Sequence, residues 1–363
     1  MANTTYTDQN GCTLYAGGTG ETKEEAEFKA IIEGFERWAS AQIREDAHCT
    51  ALELHAKNFK FIGLDELAPL TTGQAKKAGL TPYHEDLPIR WTKGIRLKDQ
   101  TEVYVPSDFV YYGQTFDENQ VYLGNSSGIA AYTDNEEALK RAITELIERD
   151  ALMRNWYNRT SPNRIDYGYL PAYTKKRIDY WRQHETDFYI LEIPSEHGRV
   201  IEAIAVRKEY PCFVSGAAAT IDAGREAYEE TVIKAMQETE CNLMIALEQP
   251  RHFEISIEQI FTPMHHAQFY YDKKNAKSLE WLWSGPTHQK PKNFRGRTVE
   301  QLIQQLNIVS VDLTPENSPI KVIRAISTKM VPINFGYFTA HYNHPRVKKD
   351  AALGSIMMPH YFA

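Results

Sequence analysis

One short pattern occurs three times at wide intervals in this chain: a basic residue, alanine, two variable residues and glutamate. The copies are Lys29-Ala30-Ile31-Ile32-Glu33, Arg141-Ala142-Ile143-Thr144-Glu145 and Lys234-Ala235-Met236-Gln237-Glu238. The first two continue as Glu-x-x-Glu-Arg, ending at Glu36-Arg37 and Glu148-Arg149. Each lies in a stretch with helical character, about 22–40, 135–157 and 224–247. Residues three apart on a helix are neighbours, with Cβ atoms about 5–6 Å apart, so each pair presents two carboxylates together. Ala26 and Ala30, and again Ala138 and Ala142, precede the pairs on the same side and open that face. Adjacent like charges cost roughly 0.2–0.5 kcal/mol per pair, so something should offset them. Magnesium, a hard cation that shares carboxylate oxygens with substrate phosphates, would do so. The arginines that follow suit phosphate oxygens. A solvated, salt-bridged helix face explains any single copy, but bulk solvent does not demand a repeat.

The rest of the chain alternates between strand and helix patterns. Thr22 is a suitable N-cap for the first helix, and Glu24 and Glu25 suit its positive end. Phe28, Ile31, Ile32, Phe35 and Trp38 recur at helical spacing and predict a core-facing side. Strands are predicted at 12–16, 91–97, 101–105, 188–193, 200–206, 213–215, 308–313 and 321–327, with a turn at Lys98-Asp99-Gln100. The stretch 271–299 reads as loop or short helices. The fold class expected is α/β (α+β) with mixed sheets. The expected organisation is one domain over 1–363, with repeats near 10–60, 88–160 and 185–250 and a strand-rich segment at 300–363.

Composition excludes several functions. With 363 residues and a formal charge of −7, the chain has no basic footprint for nucleic acid or an anionic membrane. No apolar run approaches the ~20 residues of a membrane span, and the first residues lack the apolar core of a signal peptide. Cys12, Cys49, Cys212 and Cys241 form no metal-binding spacing. A cytoplasmic location is expected. Cys241 reads as a small buried residue. His265-His266 point about 100° apart on a helix and do not suit joint chelation. Tyr111-Tyr112 and Tyr270-Tyr271 read as packing residues.

Several segments together resemble the YcaO family. Gly18-Thr19-Gly20-Glu21-Thr22-Lys23-Glu24-Glu25-Ala26 leading to Glu33-Gly34-Phe35-Glu36-Arg37-Trp38 is similar to its first motif. Asn125-Ser126-Ser127-Gly128-Ile129-Ala130-Ala131 leading to Glu145-Leu146-Ile147-Glu148-Arg149-Asp150-Ala151 is similar to its second. Ser215-Gly216-Ala217-Ala218-Ala219, His266-Ala267-Gln268-Phe269-Tyr270, Val311-Asp312-Leu313-Thr314, Val322-Ile323-Arg324 and Val331-Pro332 follow in the family's order. The resemblance implies three related helix-bearing segments around a nucleotide site, and activation of a peptide backbone amide by ATP. Attack by a neighbouring Cys, Ser or Thr then gives an azoline; sulfide or an amine gives a thioamide or an amidine.

By the same resemblance, Glu33, Glu36, Glu145, Glu148 and Glu238 hold Mg²⁺, with Glu240 as the alternative register of the third helix. Arg149 and Arg37 face the phosphates as catalytic groups, and Lys29, Ser126, Ser127, Arg149 and Gln237 contact ATP. The chain departs from the family pattern at Thr19, Lys29, Ser127 and Cys241, where Lys, Ser, Asn and Gln are usual. Those losses motivate a second reading, a catalytically weakened scaffold that docks a partner enzyme. The implied partners are a precursor peptide and a separate E1-like or leader-binding protein, because the first motif begins within twenty residues of the first residue. A homodimer is compatible with the pattern. The final residues, Ile356 to Ala363, contain one proline, where azoline-forming members often carry a proline-rich tail.

Overall fold

The computed structural model describes residues 2–7, 13–20, 22–112, 119–249, 255–285, 289–347 and 358–362. Cys12, Glu21, Ile356, Met357 and Ala363 lie outside the described residues. In chain order the strands are β1 (Ala2–Thr7), β2 (Thr13–Gly18), β3 (Ala47–Cys49), β4 (Ile89–Arg96), β5 (Thr101–Pro106) and β6 (Ile129–Tyr132). After them come β7 (Asn163–Arg164), β8 (Thr186–Ile193), β9 (Arg199–Arg207), β10 (Phe213–Thr220), β11 (Val309–Asp312) and β12 (Lys321–Ile326). The motif helices are Lys23–Ser40, Asn135–Asn158 and Arg225–Glu248. No helix among the described residues is long and apolar enough to cross a membrane.

The chain divides into two compact units: 1–149 with 299–334 and 338–346, and 150–298 with 335–337 and 347–363. In the first unit β1 and β2 form an antiparallel pair, and the first motif helix packs on both and on β6. A six-stranded sheet follows the order β3-β4-β11-β12-β6, with β5 also pairing with β4. Its pairings are antiparallel, for example Arg324↔Ile129 and Ala47↔Trp91. Trp91, Val103, Val105, Val309, Val311 and Val322 are fully buried in its core. Such β-branched and aromatic side chains favour a pleated surface packed on one side.

Expected and observed helix starts agree because the caps are local. Thr22 Oγ1 accepts the N–H of Glu25 at 3.1 Å, and Asp134 accepts the N–H of Glu137 at 2.9 Å. The buried face of the first helix differs from the one its large apolar residues predict. Ala26, Ala30, Gly34, Ala39 and Ser40 are buried, whereas Phe28 and Ile31 are each 59% exposed. Ile32, Phe35 and Trp38 are half-buried against the core. The hairpin backbone approaches this helix too closely for large side chains, so its small residues face inward.

The second unit is an antiparallel sheet in the order β10-β9-β8-β7. The third motif helix lies across β10 and β9, burying Tyr228, Val232, Ala235, Met236 and Leu243 against Ile201, Ala203 and Val214. A helix that the sequence reading missed, Ala172–Arg182, covers β8. The stretch read as loop or short helices holds short helical turns at Lys273–Ala276 and Lys277–Leu282.

Candidate active site

In the first unit the two Glu-x-x-Glu-Arg motifs come together. Glu33, on the first helix, uses Oε2 to accept the N–H of Gly17 at 3.1 Å and Oε1 to meet Arg37 Nη2 at 3.2 Å. Glu145, its counterpart on the second helix, accepts the N–H of Gly128 at 3.0 Å, and Arg149 lies 3.5 Å away. The repeat is therefore structural: each first glutamate reaches back to a glycine at the edge of the preceding strand. Glu36 crosses between the repeats and accepts the N–H of Ala131 at 3.0 Å. Glu148 faces Arg149 at 3.7 Å.

The electrostatics of the group are strained. Loss of bulk water pushes the Glu36 carboxyl up to about 8; Arg37 opposes the rise, while Glu145 and Glu33 add to it. Burial raises Glu148 to about 7, again opposed by Arg149 and reinforced by Glu145. Glu145 therefore acts on both second-position glutamates. Burial works against the charge of Arg37, but Tyr112, Glu33, Glu36 and Glu145 outweigh it and hold the guanidinium fully charged. The Tyr112 ring lies under Arg37, 4.9 Å from centroid to guanidinium carbon. The sequence reading assigned Tyr112 to packing; it also carries a cation–π contact beside the carboxylates.

Among the described residues no three His, Cys, Asp or Glu side chains form a preformed metal cage. Magnesium does not require one, because it commonly takes one or two carboxylates with waters and substrate phosphates. The donors present are hard oxygens; burial raises two of the carboxyl groups and their neighbours add to the rise, and a divalent cation would offset both effects. The residues thus fit the group.

Other expected site residues fall differently. Lys29 pairs with Glu25 at 2.6 Å on an exposed flank, 45% accessible. Ser127 is buried, its N–H bonded to Asn125 Oδ1 at 3.0 Å, and the Ser126 carbonyl accepts the N–H of Ile129. In the second unit Glu240 Oε1 is held at 2.5 Å by both Arg177 Nε and Trp181 Nε1. It is committed to the helix Ala172–Arg182, and the alternative register of the third motif loses its carboxylate. Glu238 instead lies where β10 touches the helix: a Cβ on Gly216 would come 2.9 Å from Glu238 Cβ and 2.5 Å from Thr239 N. Gln237 is half-buried on the same helix. His266 is structural, accepting the N–H of Gly336 at Nε2 and donating from Nδ1 to the His360 carbonyl.

The family model described as YcaO cyclodehydratase, ATP- and Mg²⁺-binding, matches residues 17–331. The chain belongs to the YcaO family. A stretch of 147 residues is 29% identical to an uncharacterized protein of Methanothermobacter thermautotrophicus, covering 40% of this chain and 35% of the relative. Among solved structures, a heterocyclase in complex with substrate and cofactor matches with a TM-score of 0.71 at 18% identity. That match covers 96% of this chain and 48% of the heterocyclase, so the YcaO chain spans about half of that relative's length. The YcaO protein of Methanopyrus kandleri, bound with AMPPCP and Mg²⁺, matches with a TM-score of 0.63 at 18% identity, covering 89% and 80%. The fold expected from the motifs is the fold observed.

Proposed function

We propose that this YcaO chain activates a peptide backbone amide with ATP and Mg²⁺ and forms azoline rings in a ribosomally made precursor. The amide oxygen attacks the γ-phosphorus and ADP leaves. The thiol or hydroxyl of the adjacent Cys, Ser or Thr then adds to the amide carbon, and phosphate departs with the former amide oxygen. One water per ring is lost overall, and ATP becomes ADP and phosphate.

A neutral amide oxygen is a weak nucleophile, so the chain's work is positioning and charge stabilisation. When bound, Mg²⁺ supplies charge neutralisation on the phosphates. Glu33, Glu36, Glu145 and Glu148 would hold it, with Glu238 as the third helix's contribution. Arg149 and Arg37, fixed by their own glutamates, would face phosphate oxygens, and Ser126, Ser127 and Gln237 belong to the nucleotide contacts. Lys29, tied to Glu25, joins them only by exchanging that exposed partner.

The observation that carries this reading is the bond from Ala131 N–H to Glu36, which joins the carboxylate pairs of two separate repeats. A scaffold that only docked a partner has no use for such a cluster. The substrate of this reading is a disordered precursor peptide, and ordering it costs about 2–5 kcal/mol. A separate E1-like or leader-binding partner that raises local peptide concentration is therefore part of the proposal.

The test is mass spectrometry of a Cys/Ser/Thr-rich precursor incubated with ATP, Mg²⁺ and the chain, with and without that partner. Loss of one water per modified residue, coupled to ADP release, is expected. Thioamide or amidine products would show the same activation with another nucleophile, and their masses separate the three. An unmodified peptide with no ADP release sinks the reading.

A further inference from the structure

Arg324 is 1% exposed, among the largest fully buried side chains of the first unit. Burying a guanidinium is expensive unless carboxylates or hydrogen bonds offset it. Arg324 makes no ion pair among the described residues, and its Nε has no hydrogen-bond partner there. Its compensation is unusual for that reason. Nη1 donates to the carbonyl of Asn125, and the guanidinium carbon stands 5.5 Å from the centroid of Phe109. Burial pulls the guanidinium down to about 10, while Tyr122 and Glu145 support its charge.

The residue also holds one end of the turn that feeds the second motif. β12 runs antiparallel to β6 with Arg324 opposite Ile129. Arg324 grips the carbonyl of Asn125, while the next residue, Ala325, donates its N–H to the carbonyl of Gly128 at 2.7 Å. Two consecutive residues of one strand therefore fix both ends of the segment 125–128. Gly128 has φ +75, and a Cβ there would meet the Ala325 carbonyl oxygen at 2.5 Å, so this close approach of the turn to β12 requires glycine. The Asn125 side chain seals the loop from the other side, donating to the Ile333 carbonyl and Tyr122 Oη at 3.1 Å each. Gly128 N–H then passes this fixed position to Glu145 Oε2 at 3.0 Å.

We infer that Arg324 is a positioning residue of the nucleotide site: through the Asn125 carbonyl and the 125–128 turn it sets where Glu145 stands. The inference rests on the functional reading above. Lysine retains the charge but lacks the planar fork that reaches the carbonyl while lying against Phe109. Methionine retains bulk and loses both.

Arg324→Lys and Arg324→Met are compared with the wild-type chain by calorimetric titration with Mg²⁺ and AMPPCP, alongside circular dichroism and the KM and kcat of peptide-dependent ATP hydrolysis. Loss of a charge-assisted contact predicts an AMPPCP Kd raised by about tenfold or more in the Met variant. The Lys variant should fall between Met and wild type. KM for ATP should rise with Kd, while kcat changes by less than about threefold, as expected when a binding geometry and not the chemical step is lost. A folded Met variant that binds within about twofold of wild type overturns the assignment. Failure of both variants to fold also overturns it, because Arg324 is then a determinant of the fold. Absence of AMPPCP binding by the wild-type chain removes the functional reading itself, and with it this one.

Discussion

Glu36 of the first motif accepts the N–H of Ala131, ninety-five residues away, at 3.0 Å. Ala131 belongs to β6, which leads directly to the helix that carries Glu145 and Glu148. The contact gives the N–H of a strand to a carboxylate instead of to a neighbouring strand. It thereby ties the first repeat to the second at the point where their charges meet, and Glu145 raises the Glu36 carboxyl further. A carboxyl group held up to about 8 by burial keeps its proton at neutral pH, and a cation bound there would take that proton's place.

Magnesium should govern nucleotide binding. Carboxylates repel phosphate unless a cation lies between them, so ATP affinity by calorimetry is expected to disappear when EDTA replaces Mg²⁺. Equal affinity in both conditions would remove the metal-bridged site.

Neutralising the second pair should abolish turnover. Glu145→Gln and Glu148→Gln preserve shape, and glutamine at 145 can still accept the Gly128 N–H. Peptide-dependent ATP hydrolysis should fall by on the order of 10²-fold or more, the scale of losing one transition-state electrostatic group, with circular dichroism unchanged. Wild-type rates in both variants would mark the motif as a structural ion-pair surface.

The two candidate glutamates of the third helix should separate cleanly. Glu240→Gln leaves Arg177 and Trp181 without their shared carboxylate and should destabilise the chain by about 1–3 kcal/mol, as for weakening a charged, partly buried hydrogen bond, read from the urea midpoint. Its KM for ATP should stay near wild type. Glu238→Gln should do the reverse, and an exchange of the two outcomes would restore the alternative register.

The C-terminal residues should carry stability. Tyr361 Oη donates to Glu202 Oε2 at 2.9 Å, with both residues buried. Tyr361→Phe removes a donor from a buried carboxylate and should cost about 1–3 kcal/mol. An unchanged denaturation midpoint would show that Glu202 finds other partners at no cost.

Acid should weaken the second unit through His266. Burial lowers its imidazole to about 4, and its hydrogen bonds to Gly336 and His360 use the neutral ring. The unfolded chain takes up a proton near pH 6.5 whereas the folded one resists until about pH 4. Stability from this group is complete above about pH 6.5 and is lost as pH falls toward 4, by at most about 3 kcal/mol. In the first unit, His341, lowered to about 3 by burial, acts in the same direction. Urea midpoints of wild type and His266→Asn between pH 7.5 and 5 should converge, because the variant lacks the titrating ring. A constant difference across that range would contradict the assignment.

The sequence alone determined the three helices, the caps of the first two, the pairing of Glu33 with Glu36 and of Glu145 with Glu148, and the family. These are legible because they depend on spacing within a single helix turn or on side chains three residues apart. Tertiary structure decided what those residues meet. Phe28 and Ile31 have core-like spacing, yet the close hairpin gives the interior to Ala26, Ala30 and Gly34. In sequence Glu238 is the ligand and Glu240 its alternative register; only the neighbouring helix shows that Arg177 and Trp181 take Glu240. Arg324 looks like an ordinary strand residue, and its hold on Asn125, 199 residues away, follows from a strand register that local spacing does not encode. Long-range hydrogen bonds and burial set these outcomes, and both depend on which distant segments the fold places side by side.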